Sequence, residues 1–225
     1  MESGFLVVNK PIGPTSHDMV DKLRRISGIK KIGHAGTLDP FASGVLVLAV
    51  GRSATKRISE IAKTDKEYIA DICLGVVTDT YDNTGKTVDK KDVSRPPKKE
   101  EIEGVLKSFI GKQKQTPPMY SAKKVGGKKL YQLARQGKEV AREPSLIDIK
   151  SIELMEYEFP ELRIKVKCSS GTYLRSLAHD IGMALDVGAH LKNLKRTTVG
   201  SYNISQAVDL EEVNENNWSE LLFQI

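Results

Sequence analysis

Between Leu162 and Leu185 the hydrophobic period of this chain changes from two residues to 3.6 across one short polar corner. That change excludes an all-helical and an all-strand fold. Leu162, Ile164, Val166 and Cys168 alternate with polar neighbours, as a half-buried strand requires. After Ser169-Ser170-Gly171-Thr172, the residues Leu174, Leu177, Ala178, Ile181 and Leu185 recur at i, i+3, i+4, i+7 and i+11. Those positions line one face of a helix, and Gly188 ends it.

The rest of the chain continues the mixture. Phe5-Leu6-Val7-Val8 reads as a short buried strand closed by Asn9-Lys10-Pro11. A helix follows with Val20, Leu23 and Ile26 on one face, Ser16 as its N-cap and Gly28 as its stop. A long loop of small residues from Gly33 to Gly44 leads into an aliphatic strand, Val45 to Val50. A helix is predicted from Ser53 to Ala62, a strand from Glu67 to Leu74 and a solvated polar turn from Asp79 to Lys86. Pro97 opens a helix carrying Ile102, Val105, Leu106 and Phe109, and a small helix is expected around Leu130 to Ala134. Ile147 to Tyr157 is a further strand, and a short strand with a small acidic helix closes the chain. Strands and helices do not alternate strictly, which argues for an α+β fold over a doubly wound parallel sheet. Without an internal repeat or long linker, the expectation is a single domain over residues 1–225.

Charge adds a location. Lys and Arg number 35 against 29 Asp and Glu, a net +6. The stretch from Lys112 to Arg142 holds nine Lys and Arg and one acid, Glu139, so it carries more than the whole excess. Such a stretch suits a polyanion. The run Val45–Val50 falls far short of the ~20 apolar residues of a membrane helix, and Met1-Glu2-Ser3-Gly4 lacks the basic start of a signal peptide. Cys73 and Cys168, far apart and at no metal spacing, read as reduced thiols. The expectation is a cytoplasmic protein.

Several apparent motifs dissolve on inspection. Gly85-Lys86-Thr87 lacks the first glycine of a phosphate loop, since position 80 is Thr. Asp79, Asp82 and Asn83 have the wrong spacing for a calcium loop, and no acid stands at its end. His17, His34, His179 and His190 have no companions at ligand spacing, so no metal site is expected. Two residues remain as candidates for chemistry. Asp39 is the one carboxylate of the Gly33–Gly44 loop, whose small residues admit another backbone and whose end runs into a buried strand. By default, an aspartate before proline is only a turn former. Arg175 lies in the first turn of the Leu174 helix, off its apolar face, where it reads equally as a surface arginine or as a partner for a buried carboxylate.

Gly33-His34-Ala35-Gly36-Thr37-Leu38-Asp39-Pro40-Phe41-Ala42-Ser43-Gly44 closely resembles the catalytic motif of the TruB-type tRNA pseudouridine synthases. Lys10-Pro11-Ile12-Gly13-Pro14-Thr15-Ser16 is similar to that family's amino-terminal motif, and Asp65-Lys66-Glu67-Tyr68 to its tyrosine motif. Gln115 to Ala122 resembles the start of its RNA-gripping insertion. Ser170-Gly171-Thr172-Tyr173-Leu174-Arg175 and Gly188-Ala189-His190-Leu191 complete the order.

The resemblance implies the pseudouridine synthase fold, a mixed, mostly antiparallel sheet flanked by helices with a basic RNA-clamping insertion at about residues 112–150. It implies isomerisation of the T-loop uridine of tRNA (position 55 in standard tRNA numbering) without metal or organic cofactor. Asp39 would be the nucleophile, Tyr68 would stack on the flipped uracil, and Arg175 would pair with the aspartate. His34 would help fill the gap left in the RNA, with Lys10, Lys123, Lys124, Lys128 and Lys129 also binding RNA. Residues 201–225, with Asp209, Glu211, Glu212, Glu215 and Glu220, read as a short acidic tail, too short for a further RNA-binding domain. A monomer that recognises the T-arm without an obligatory protein partner is expected. Two other readings stay open: a synthase acting on another or a guide-selected RNA, and a non-catalytic RNA-binding or RNA-folding module.

Overall fold

The computed structural model describes residues 3–121, 123–134 and 136–223; the side chains of Lys124 and Lys129 lie outside the described ones. The elements begin with β1 (Gly4–Lys10), α1 (Ser16–Ser27), β2 (Ile32–His34), β3 (Ser43–Val50), α2 (Gly51–Lys56), α3 (Ile58–Ala62) and β4 (Lys66–Leu74). There follow β5 (Val76–Thr78), β6 (Thr87–Lys90), α4 (Lys99–Ser108), β7 (Gly111–Gln115), β8 (Lys124–Val125), β9 (Lys128–Lys129) and α5 (Leu130–Ala134). The last third holds β10 (Ser145–Glu158), β11 (Glu161–Cys168), α6 (Leu174–Ala184), β12 (Ala189–Val199), β13 (Tyr202–Asn203) and a 3-10 turn at Ile204–Gln206. The described residues form two compact units, one from 1–69 with 194–225 and the other from 70–193.

In the first unit, β1 and β3 pair antiparallel from Gly4 opposite Val50 to Lys10 opposite Gly44. Their side chains are buried on both faces, which explains why they read as continuous apolar runs and not as alternations. Each fully buried Val or Leu there contributes ~1.5–3 kcal/mol. The end of β12 joins β3 in parallel, with Lys195 opposite Ser43 and Arg196 opposite Gly44. β2 pairs antiparallel with β3, and β13 with β12. The mixed, mostly antiparallel sheet expected from the sequence is therefore present, and the class is α+β. Phe5, Val7, Ala35, Val45, Val47, Ala49, Ala54 and Val199 pack as one core under Ile58, Ile61 and Phe223.

α1 buries Met19, Val20 and Leu23 and stops at Gly28, whose N–H reaches the Arg24 carbonyl. Its N-cap is Thr15, not the Ser16 predicted. The Thr15 hydroxyl accepts from the Asp18 N–H at 3.1 Å while the Asp18 carboxylate accepts from the Thr15 N–H at 2.8 Å. A reciprocal cap needs an acid three residues on, and only Thr15 has one. The helix predicted over 53–62 is broken at Arg57, whose N–H bonds back three residues to Ala54 and tightens the chain out of the α ladder. β2, absent from the sequence reading, is three residues long and carries no period of its own.

The acidic helix expected near the end does not form. Asn217 and Asn214 side chains accept from the N–H groups of Asn214 and Asn216, giving the backbone an alternative to the helix. Leu210, Val213 and Trp218 are buried, the five acids are exposed, and residues 208 and 223 exchange backbone hydrogen bonds with β1.

In the second unit, β10 pairs antiparallel with β11 on one side and β7 on the other. The alternation of β11 is realised, with Leu162, Ile164, Val166 and Cys168 inward. α4 starts two residues after Pro97 and buries Ile102 and Leu106. α6 buries Leu174, Leu177, Ala178 and Ile181 as the period requires. No helix among the described residues is long and apolar enough to cross a membrane.

Candidate active site

Asp39 lies in the irregular segment between β2 and β3, half-buried, flanked by buried Leu38, Phe41 and Ala42. An irregular segment holds one shape only if its backbone groups find partners. Here each carbonyl from Gly36 to Pro40 has one. Gly36 O and Thr37 O accept from the Arg196 guanidinium at 3.1 and 3.4 Å. Leu38 O accepts from the Ser16 hydroxyl at 3.1 Å, which itself accepts from the Leu38 N–H at 2.9 Å. Asp39 O accepts from the Ala42 N–H at 3.1 Å, and Pro40 O from the Gly13 N–H at 2.8 Å. Ser16 thus serves the loop, not the helix end.

Beneath this segment sits Lys10. Predicted among the RNA-binding residues, it is fully buried, and its ammonium donates to Pro11 O and Pro14 O at 2.8 Å each and to Pro40 O at 3.4 Å. Three donors meet three carbonyls, so no proton remains for a phosphate; Lys10 ties the Pro11–Pro14 turn to the Asp39 loop. Burial lowers its pKa to about 8, against the field of Asp39 and with that of Arg196.

His34 ends β2. Burial first, then the charges of Arg196 and His17, push its pKa below the usual imidazole value, so the ring is neutral at neutral pH. Its Nδ1 is buried with no hydrogen-bond partner among the described residues. Tyr68 lies on the inward face of β4 with Lys66 and is 8% exposed.

The second unit holds Arg175. The sequence left it as a surface residue or a partner for a buried carboxylate; it is 5% exposed. Its guanidinium meets the Asp82 carboxylate at 3.4 Å, Thr80 O at 3.3 Å and Tyr120 O at 2.7 Å. Asp82 is itself 4% exposed, so the stretch expected to be a solvated turn buries its middle acid. The second carboxylate oxygen of Asp82 accepts from the Thr80 hydroxyl at 2.8 Å and the Thr84 N–H at 2.9 Å. The Asn83 N–H bonds to Leu191 O, and Tyr81 stacks on His179 with centroids 4.0 Å apart. Asp82 is the functional candidate that the sequence reading missed. Its one local signal is a Thr two residues before and another two after, both able to bond its carboxylate.

The basic segment forms the β8–β9 hairpin, turning at Gly126-Gly127, and α5. Lys128 is exposed there. Lys123 is half-buried, donating to Glu143 O and the Ser145 hydroxyl at 2.8 Å each. The predicted contacts of Lys124 and Lys129 lie outside the described side chains. No group of three His, Cys, Asp or Glu able to hold a metal occurs among the described residues.

Comparison with known proteins bears on this arrangement. The chain is 48% identical over 211 residues to the tRNA pseudouridine synthase B of Protochlamydia amoebophila, covering 94% of this chain and 79% of that protein. It is 46% identical over 220 residues to the protein of that name from Clostridium tetani, covering 98% and 75%. Among solved structures, a Cbf5-Nop10-Gar1 complex contains a chain that superposes with a TM-score of 0.73 at 31% identity, over 93% of this chain and 53% of that one. The chain thus spans about half the length of that structural relative. The family model described as the TruB family pseudouridylate synthase N-terminal domain matches residues 24–174. A second, described as the tRNA pseudouridylate synthase B C-terminal domain, matches residues 175–222. With the two models lying end to end, this chain belongs to the TruB family of pseudouridylate synthases.

Proposed function

We propose that the chain isomerises uridine to pseudouridine in tRNA, at the T-loop uridine, with Asp39 as nucleophile. The observation that carries this reading is the anchoring of every carbonyl from Gly36 to Pro40 around that carboxylate, because a nucleophile must be held in register with the atom it attacks. In the reaction the ribose C1′–N1 bond breaks, the uracil turns, C1′–C5 forms, the C5 proton leaves and N1 gains one. Nothing is oxidised, so one carboxylate that forms and releases a covalent adduct suffices.

The target base must leave its stack to be reached. Tyr68 and Arg175 are proposed in the roles the family resemblance implies, aromatic platform and cation. His34, kept neutral, suits insertion into the vacated space better than an imidazolium would, since the gap is lined by bases. Exposed Lys128, with Lys123, Lys124 and Lys129, is proposed to meet phosphates.

The test is incubation of the pure protein with unmodified tRNA, with pseudouridine mapped by position. Product at the T-loop uridine without added RNA supports the reading; product elsewhere, or only with a guide RNA, replaces it. Binding through about four phosphates is expected to weaken on the order of 10²-fold between about 50 and 200 mM salt. Affinity unchanged over that range would remove the lysines from the interface.

Lys10 adds a pH dependence. Above about 8 its ammonium loses one of the three donors that tie Pro11, Pro14 and Pro40, so the conversion rate is expected to fall as pH rises through that value. Its contribution to stability moves the other way. The unfolded lysine keeps its proton up to its ordinary value of 10.5, so between about 8 and 10.5 the unfolded chain binds more protons and this contribution rises. Rate and Tm measured together across that window separate the two; a rate that falls only in step with Tm would assign the loss to unfolding.

A further inference from the structure

Arg196 is the bulkiest of the fully buried side chains, 1% exposed, and no ion pair joins it to a carboxylate among the described residues. A charge in such a place is disfavoured unless hydrogen bonds replace its water, and an apolar side chain of similar length would fill the space without that cost. Arg196 Nε donates to Val45 O at 2.7 Å, Nη2 to Gly36 O at 3.1 Å and Nη1 to Thr37 O at 3.4 Å. One planar fork therefore grips the Asp39 loop two and three residues before the carboxylate and again where β3 begins. Its own backbone is fixed just as closely. A Cβ added to Gly44, at a φ of 103°, would lie 2.2 Å from Arg196 O, so β12 and the loop exit touch along bare backbone. The charge of Arg196 also acts on both Lys10 and His34, lowering the pKa of each.

We propose that Arg196 is a positioning residue for the isomerisation, holding the Gly36 and Thr37 carbonyls so that Asp39 meets the ribose–base linkage in register. The inference rests on the reading of Asp39 as nucleophile. An ammonium in its place carries its donors on one atom, whereas the bonds to Val45 O, Thr37 O and Gly36 O come from three separate nitrogens of the fork, so it cannot reproduce their geometry. A thioether supplies no donor at all.

The test compares Arg196→Lys and Arg196→Met with the parent protein in three measurements: Tm, tRNA affinity at fixed salt, and the single-turnover rate with enzyme in excess. For variants that fold, affinity is expected within about threefold of the parent. The single-turnover rate is expected to fall at least about 50-fold in Arg196→Met and by less in Arg196→Lys. A purely structural role predicts instead that the remaining activity follows the folded fraction, with rate per folded molecule unchanged. Either variant folded and converting tRNA at the parental rate overturns the proposal. If Arg196→Met does not fold, the lysine variant alone decides. Asp39→Asn in the same assay keeps the two readings apart: an active Asp39→Asn removes the nucleophile, whereas an inactive one beside fully active Arg196 variants removes only the role of Arg196.

Discussion

Asp39→Asn is expected to bind tRNA as the parent does and to convert none of it. The substitution keeps the size of the side chain and leaves the backbone partners of Gly36 to Pro40 in place, since those bonds come from Arg196, Ser16, Gly13, Lys10 and Ala42 and not from the Asp39 side chain. Asparagine has no anionic oxygen to form the adduct, so the rate should fall on the order of 10⁴-fold or more. Affinity measured by filter retention should stay within about threefold, because phosphate contacts dominate binding. A variant that still yields pseudouridine at a tenth of the parental rate would end the assignment of Asp39 as nucleophile.

Asp82→Asn should damage both stability and turnover. Asp82 and Arg175 are each about 95% removed from solvent, at 4% and 5% exposure, and they pair at 3.4 Å. Removing the anion takes the carboxylate of a buried ion pair away from the Arg175 guanidinium, while the carbonyls of Thr80 and Tyr120 still accept from it, and breaking such a pair costs about 3–5 kcal/mol. The Asn carbonyl can still accept from the Thr84 N–H, so the turn itself should survive. Losing that anchor is expected to shift Arg175, and under the proposed role of its guanidinium a displacement of about 1 Å costs on the order of 10²-fold in rate. Denaturant unfolding and single-turnover conversion measure the two effects separately. Unchanged stability would mean the pair is solvated, and an unchanged rate would place Arg175 outside the reaction.

Elements with a strong internal period were readable in advance. The face of α6, the alternation of β11 and the aliphatic run of β3 each announce their burial through neighbours two to four residues away. Boundaries that depend on a side chain reaching a nearby backbone group were less so. Thr15 takes the cap from Ser16 because Asp18 stands three residues on, and the asparagines after Glu212 compete with the helix that spacing alone suggested. Asp82 was hidden for a third reason. Three polar residues in a row look solvated, and nothing local tells that Arg175, far along the chain, will turn one of them inward.

The sequence by itself determined the α+β class, the order of the motifs and the identity of the one carboxylate in the Gly33–Gly44 loop. These are properties of period, composition and local spacing. Only the tertiary structure decided what holds that carboxylate. Arg196 reaches Thr37 across 159 positions and Lys10 reaches Pro40 across 30. A hydrogen bond over such a distance has no signature in either segment, because each partner's half is an ordinary residue until folding brings it to the backbone carbonyl it serves.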